Sequence, residues 1–177
     1  VPATTDSVII NGTVSVDVNT SCLGLLVRSG GILQNHNNSV RTLTVNSSIT
    51  NNGTIRNNNY NFLLDIEGDM FQHGTWENYR TKLTSTSDQN ITFTQVYEGA
   101  YLENSVSSKT LIVAGNLWFD GTRIDLGNAQ VQTAGGAFIN VKDYYLANAD
   151  FISNDLHLSL SDNPYLQNLT TESVELH

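Results

Sequence analysis

Three carboxylates alternate along one short stretch of the chain, at Asp65, Glu67 and Asp69. On an extended strand such residues share a face, and three carboxylates on one face can hold a hard cation such as calcium. They read equally well as the solvated face of an acidic protein, and that is the reading adopted. A polysaccharide lyase would also need a Lys or Arg as base. Arg41 and Arg56 are the nearest, and neither has the matching strand phase. A glycoside hydrolase needs two carboxylates roughly 5–10 Å apart. Asp120 and Asp125 flank Gly121, and Asp143 and Asp150 follow, but a chain this acidic offers such pairs by chance. His36, His73, His157 and His177 show no metal-ligand spacing among themselves or with Cys22. No Ser-His-Asp arrangement and no phosphate-cradling glycine loop is present. The expectation is therefore no catalytic residue, no cofactor and no metal.

The residues three before Gly53, Gly74, Gly99 and Gly121 are Thr50, Phe71, Val96 and Trp118. Their neighbours Ile49, Met70 and Leu117 are expected to point inward, which sends these four outward. An outward column with Phe and Trp is unusual on a water-facing strand. It is a candidate binding strip for sugar rings or a partner protein, unless the polar stretch Glu77–Asn90 folds over it. Trp76 matches Ile55 in phase and belongs to the core. A flat threonine array for ice is a weaker idea: Thr13, Thr54, Thr75 and Thr122 share a phase, but Ile32 and Ala100 interrupt it.

What must position such residues follows from composition and repetition. The chain has 177 residues, enough for one domain with a core. Its net charge is −9, with 8 Lys plus Arg against 17 Asp plus Glu. Binding nucleic acid or an anionic membrane surface needs clustered cations, so neither is an expected partner. No apolar run approaches the roughly 20 residues that span a bilayer. The single cysteine, Cys22, sits in an apolar stretch and reads as a buried small hydrophobe. Seven Asn-x-Ser/Thr sequons occur among 22 asparagines, and chance explains most of them. The opening Val1-Pro2-Ala3 fits a mature N-terminus after cleavage.

Residues 43–57 and 64–78 repeat one phrase at an offset of 21, with matching apolar positions and identical Gly, Thr and Asn. Glycines at 12, 31, 53, 74, 99 and 121 are spaced 19, 22, 21, 25 and 22. A looser copy lies around Ala147 to Asn154. Within each copy apolar residues alternate, as at Leu43, Val45 and Ile49 against Thr44 and Thr50, which predicts short strands. A fixed period near 22 with turns that absorb insertions predicts a β-solenoid of about seven coils. Counting from each glycine, Asn35, Asn57, Asn78, Asn104 and Asp125 share nearly the same phase. With coils about 4.8 Å apart, their side chains can bond to one another as a structural ladder at an inward bend.

The phrase Leu43 to Ile55 resembles the coils of pectin-lyase-like right-handed parallel β-helices. It is closest in style to the long repetitive secreted surface proteins of Bacteroidetes-type bacteria, whose first coils read like Asp6 to Asp17. The resemblance covers most of residues 6–154. It implies an all-β right-handed parallel β-helix forming one domain over 1–177, as the N-terminal part of a longer protein. It implies a secreted or cell-surface location in a Gram-negative bacterium, with type IX secretion as the route. The role it implies is non-catalytic, structural or adhesive. The partners it implies are a glycan or surface protein, the secretion machinery, and further domains of the same chain. A carbohydrate-binding module, or a lyase or hydrolase of this fold, is the alternative, because the fold alone does not fix function.

Overall fold

A computed structural model describes residues 2–134, 138–142, 145–152, 157–161, 165–171 and 175–176. Val1, Asp143, Asn154, Pro164, Glu172 to Val174 and His177 lie outside the described residues. Every described element is a strand, and the strands stack in parallel as a β-solenoid of about seven turns with a spacing of about 21 residues.

Each turn has three faces. Face A stacks Ser7–Ile10, Gly24–Val27, Ile49–Asn51, Met70–Gln72, Gln89–Phe93 and Thr110–Gly115. Face B stacks Thr13–Val16, Ile32–Asn35, Thr54–Arg56 and Thr75–Glu77. It continues through a single bridge at Tyr97 to Leu117–Phe119, Phe138–Lys142 and His157–Ser161. Face C stacks Thr20–Cys22, Arg41–Val45, Phe62–Ile66, Arg80–Leu83 and Tyr101–Asn104. The long strand Arg123–Ala134 turns the corner from C to A, followed by Tyr145–Phe151 and Tyr165–Thr171.

The alternation in sequence explains the layering. Leu43, Val45 and Ile49 are buried while Thr44 and Thr50 are partly exposed. One inward column of face B runs Val14, Leu33, Ile55, Trp76, in register, and Tyr97 and Phe119 extend it. The rings of Tyr97 and Phe119 stack at 5.8 Å, and Trp76 lies 6.1 Å from Tyr97. Val14, in the first face B strand, is exposed. Ile10, Val16, Cys22, Leu25, Leu33 and Leu43 line an apolar cavity of about 230 Å³ at that end. Burial pushes the Cys22 thiol up to about 11, so it behaves as a small hydrophobe.

Close stacking also explains the glycines. A Cβ on Gly74 would lie 2.2 Å from the Gly53 carbonyl oxygen, and one on Gly53 would lie 2.4 Å from that of Gly31. Gly31, Gly53 and Gly74 mark the corner from face A to face B. Gly99 and Gly121 stack on each other too, with 2.1 Å from a Gly121 Cβ to the Gly99 oxygen, but they mark the next corner, from B to C. The six glycines expected at one phase therefore form two columns. The chain changes corner where face B shrinks to Tyr97, since Ala100 donates to the Asn78 carbonyl and so brings Gly99 level with Asn78.

The expected asparagine ladder divides in the same way. Asn35, Asn57 and Asn78 stand at the B-to-C corner. The Asn58 amide donates to Asn35 Oδ1 at 2.7 Å, and the Tyr79 amide to Asn57 Oδ1 at 3.0 Å. Asn35 and Asn57 thus accept from the backbone just past the next asparagine, rather than from its side chain, whereas Asn78 Oδ1 accepts from Trp76 Nε1 and Thr81 Oγ1. Asn104 and Asp125 stand at the far end of face C, where Asn104 is level with Leu83. Side chains do link up there: Asn148 Nδ2 donates to Asp125 Oδ1 at 2.8 Å and Asn168 Nδ2 to Asn148 Oδ1 at 2.9 Å. Asn128, Asn148 and Asn168 have φ of 60°, 55° and 52°, the left-handed turn that Asn tolerates well.

Candidate functional site

The expected outward strip occupies two faces. Phe71 lies beside Thr50 on face A, and the next position above it is Thr92, then Ala114. Trp118 lies on face B with Asn140 above it. Val96 lies below Trp118, because Tyr97 bridges Phe119. Trp118 is 52% and Val96 44% exposed, while Phe71 is half-buried. The stretch Glu77–Asn90 does not cover them. It contains Arg80–Leu83, an ordinary face C strand, followed by a loop and the start of face A. Thr13, Ile32, Thr54 and Thr75 continue the Val96–Trp118 column downward, whereas Thr122 lies past the B-to-C corner.

A hollow of about 310 Å³ beside Val96 is lined by His73, Gly74, Thr75, Gln95, Val96 and Glu98. The carboxylates Glu77, Glu98 and Asp120 stack beside it in successive coils, as the amide bonds Glu98 to Trp76 and Asp120 to Tyr97 require. Partial burial, then Glu77 and Asp120, raise the Glu98 carboxyl above the usual range. These carboxylates are 21 and 22 residues apart, but a count from the glycines hides them, because Glu77 follows Gly74 whereas Glu98 and Asp120 precede Gly99 and Gly121.

The structure does not gather Asp65, Glu67 and Asp69 on one ligand. Asp65 faces Arg80 Nη2 at 3.4 Å, and Asp69 accepts from the Asn90 amide at 2.9 Å, with the turn at Glu67 and Gly68 between them. No group of three or more His, Cys, Asp or Glu able to hold a metal stands among the described residues. Asp125 bonds to Arg123 and Asn148, and Asp120 lies one corner away from it. Asp150 is level with Gln130 on face A.

Two features escaped the reading of the sequence. One is Lys109, 3% exposed, whose Nζ donates to Gln89 Oε1 at 2.7 Å. Its position after two serines reads as a turn. Desolvation lowers its pKa from 10.5 to about 8. Between those values the folded chain binds fewer protons than the unfolded one, so this group's contribution to stability rises with pH from 8 to 10.5. Below pH 8 its full penalty applies, roughly 3 kcal/mol at 1.36 kcal/mol per unit. Lys109→Met removes that penalty and also one hydrogen bond worth about 1 kcal/mol. The variant should be more stable than the parent at pH 7 and no more stable at pH 10.5, which urea unfolding at the two pH values would read. An equal difference at both contradicts the buried-amine assignment.

The other is a column on face C in which Arg80, Tyr101, Arg123, Tyr145 and Tyr165 follow in register. The Arg123 guanidinium carbon lies 5.7 Å from the Tyr145 ring centre, and the Tyr145 and Tyr165 rings are 4.1 Å apart. Tyr79 packs on Tyr101 at 5.1 Å. Beside this column runs a second one of Asp65, Lys82, Glu103 and Asp125. The Tyr145 hydroxyl is held above its ordinary pKa by partial desolvation and by Tyr165, with Arg123 opposing.

Comparison with known proteins finds no matching family model, no matching curated protein and no matching solved structure.

Proposed function

We propose that the chain is a non-catalytic structural or adhesive segment of an extracellular or cell-surface protein. The proposal includes the finer architecture that the sequence resembles, a pectin-lyase-like right-handed β-helix of a secreted Gram-negative, Bacteroidetes-type protein. It also includes export by a type IX route and continuation into further domains. The observation that carries it is the coil-to-coil register along faces A and C, with face B in two stacks joined through the bridge at Tyr97. That register turns a short repeat into straight rows of outward side chains, a surface suited to holding a partner at many points rather than to enclosing one small molecule. Protease treatment of intact producing cells should remove the chain, with a periplasmic marker left whole. Survival of the chain under that treatment overturns the reading.

The exposed Trp118 and Val96, above the hollow that Glu98 borders, favour a second reading as a carbohydrate-binding module. Glycan-array binding lost in a Phe71→Ala, Trp118→Ala double variant supports it. Release of new reducing or unsaturated sugar ends, lost in Glu98→Gln, indicates a hydrolase or lyase instead.

A further inference from the structure

The chain contains two Asn-Gly pairs, Asn11-Gly12 and Asn52-Gly53, and the fold puts both at one corner. Ile10, Val27 and Asn51 are level on face A, and Thr13, Ile32 and Thr54 are level on face B. The two pairs therefore occupy the same bend between those faces, two coils apart. We infer that Asn11 is a site of spontaneous covalent modification, in which the Gly12 backbone nitrogen closes on the Asn11 side chain, and that the fold withholds the same reaction from Asn52. The reaction does not depend on where the chain is displayed or on what it adheres to.

The chemistry uses only the chain and solvent water. The Gly12 amide nitrogen, having given up its proton to solvent, attacks Asn11 Cγ. The N–Cγ bond forms, the Cγ–Nδ2 bond breaks, and Nδ2 takes a proton from solvent and leaves as ammonia. The product is a succinimide ring. Water then opens the ring. Attack at Cγ gives aspartate; attack at the Asn11 main-chain carbonyl gives isoaspartate, whose backbone runs through the side chain. The net change is one ammonia lost and one water gained, so an amide becomes a carboxylic acid. Glycine favours the step because it has no Cβ to crowd the nitrogen and because it reaches bent backbone conformations freely.

Exposure does not separate the two pairs, since Asn11 and Asn52 are both exposed. The backbone does. The Gly53 amide donates to Asn51 Oδ1 at 3.0 Å, and the Asn52 amide donates to the Val27 carbonyl at 2.8 Å. Gly53 is also clamped between coils, with the Arg28 and Gly31 carbonyl oxygens against its Cβ position and Gly74 stacked on its own carbonyl. Turning the Gly53 nitrogen onto Asn52 requires those bonds to break and the corner to open.

At the other pair the Asn11 side chain and the Gly12 amide have no hydrogen-bond partner among the described residues. Nothing lies within 4 Å of the Gly12 Cβ position. The nitrogen is free to turn. The Ile10 carbonyl accepts from the Arg28 amide and the Gly12 carbonyl from the Ile32 amide, each at 3.0 Å. Isoaspartate lengthens the main chain between those two acceptors, so the conversion falls on the joint between the first two coils.

The full 177-residue chain, held at mildly alkaline pH and then digested under acid conditions, is read by peptide mass spectrometry. The expected result is a gain of about 1 Da with an isoaspartyl product at residue 11, at a rate at least about tenfold that at residue 52. In urea, where both corners are unfolded, the two rates should converge. Asn11→Gln, with one more methylene before the amide, should stop the reaction at residue 11, and Gly12→Ala should slow it. Three results each overturn the proposal: Asn11 left intact, equal rates at the two sites in the folded chain, or a rate difference that persists unchanged in urea and so belongs to the local sequence rather than to the fold.

Discussion

Trp76→Ala should destabilise the chain by about 3–5 kcal/mol, the range for truncating a large buried aromatic side chain. Trp76 has no exposed surface. It lies between Ile55, its register partner, and Tyr97, 6.1 Å away between ring centres. Its Nε1 donates to Asn78 Oδ1 and Thr81 Oγ1, each at 2.9 Å. Removing the indole opens a cavity in the middle of the stack and leaves two buried acceptors without that donor. Asn78 is also a corner residue, with its Nδ2 on the Arg80 carbonyl at 2.6 Å, so the damage reaches the B-to-C bend. Urea unfolding followed by circular dichroism measures the loss. The chain has two tryptophans, so the variant's fluorescence should be that of the exposed Trp118, red-shifted from the parent. A loss below about 0.5 kcal/mol, the range of an ordinary surface change, would place Trp76 outside the core.

Gly74→Ala should be nearly as harmful, although it adds a single methyl group. The added Cβ meets the Gly53 carbonyl oxygen at 2.2 Å and the Asn52 carbonyl carbon at 2.8 Å. Both are backbone atoms of the coil below, which cannot rotate away as a side chain would. Coils at about 4.8 Å must then separate locally, and the amide of Thr75, which donates to the Gly53 carbonyl at 2.9 Å, loses its geometry. Overpacking of this kind costs about 1–3 kcal/mol or more. Gly12→Ala is the matched control. Nothing lies within 4 Å of its Cβ position, so a change within about 0.5 kcal/mol is expected. Equal effects at the two sites would mean that Gly53 and Gly74 are not stacked.

The fold was readable because its cause is local and repeated. Alternation at Leu43, Val45 and Ile49 sets strand faces, and the 21-residue offset between residues 43–57 and 64–78 stacks Ile55 under Trp76. Phase was harder to keep. Gly74 and Gly99 look alike in sequence, yet one ends face A and the other ends face B, because between them face B is reduced to Tyr97 and the intervening loop is long. Counting from glycine then placed Asn104 with Asn78, a full face away, and Thr50 and Phe71 with Val96 and Trp118. The Arg–Tyr column was available to a different count. Residues 80, 101, 123, 145 and 165 are 21, 22, 22 and 20 apart, but they emerge only when the face C strands, rather than the glycines, set the frame. Lys109 was out of reach of any count. A lysine after two serines reads as a solvated turn, and its burial depends on Gln89 arriving from the coil below.

Spin labels on one outward column of face B test the stacking most directly. Thr13, Thr75 and Trp118 belong to that column, with Ile32, Thr54 and Val96 between them. In a Cys22→Ala background, labels at 13 and 75 span three coil steps, about 14 Å, and labels at 13 and 118 span five, about 24 Å, at 4.8 Å per step. Pulsed and continuous-wave electron paramagnetic resonance should return distances that grow in that proportion. Distances that fail to lengthen from the first pair to the second would show that the chain does not advance by one coil per repeat.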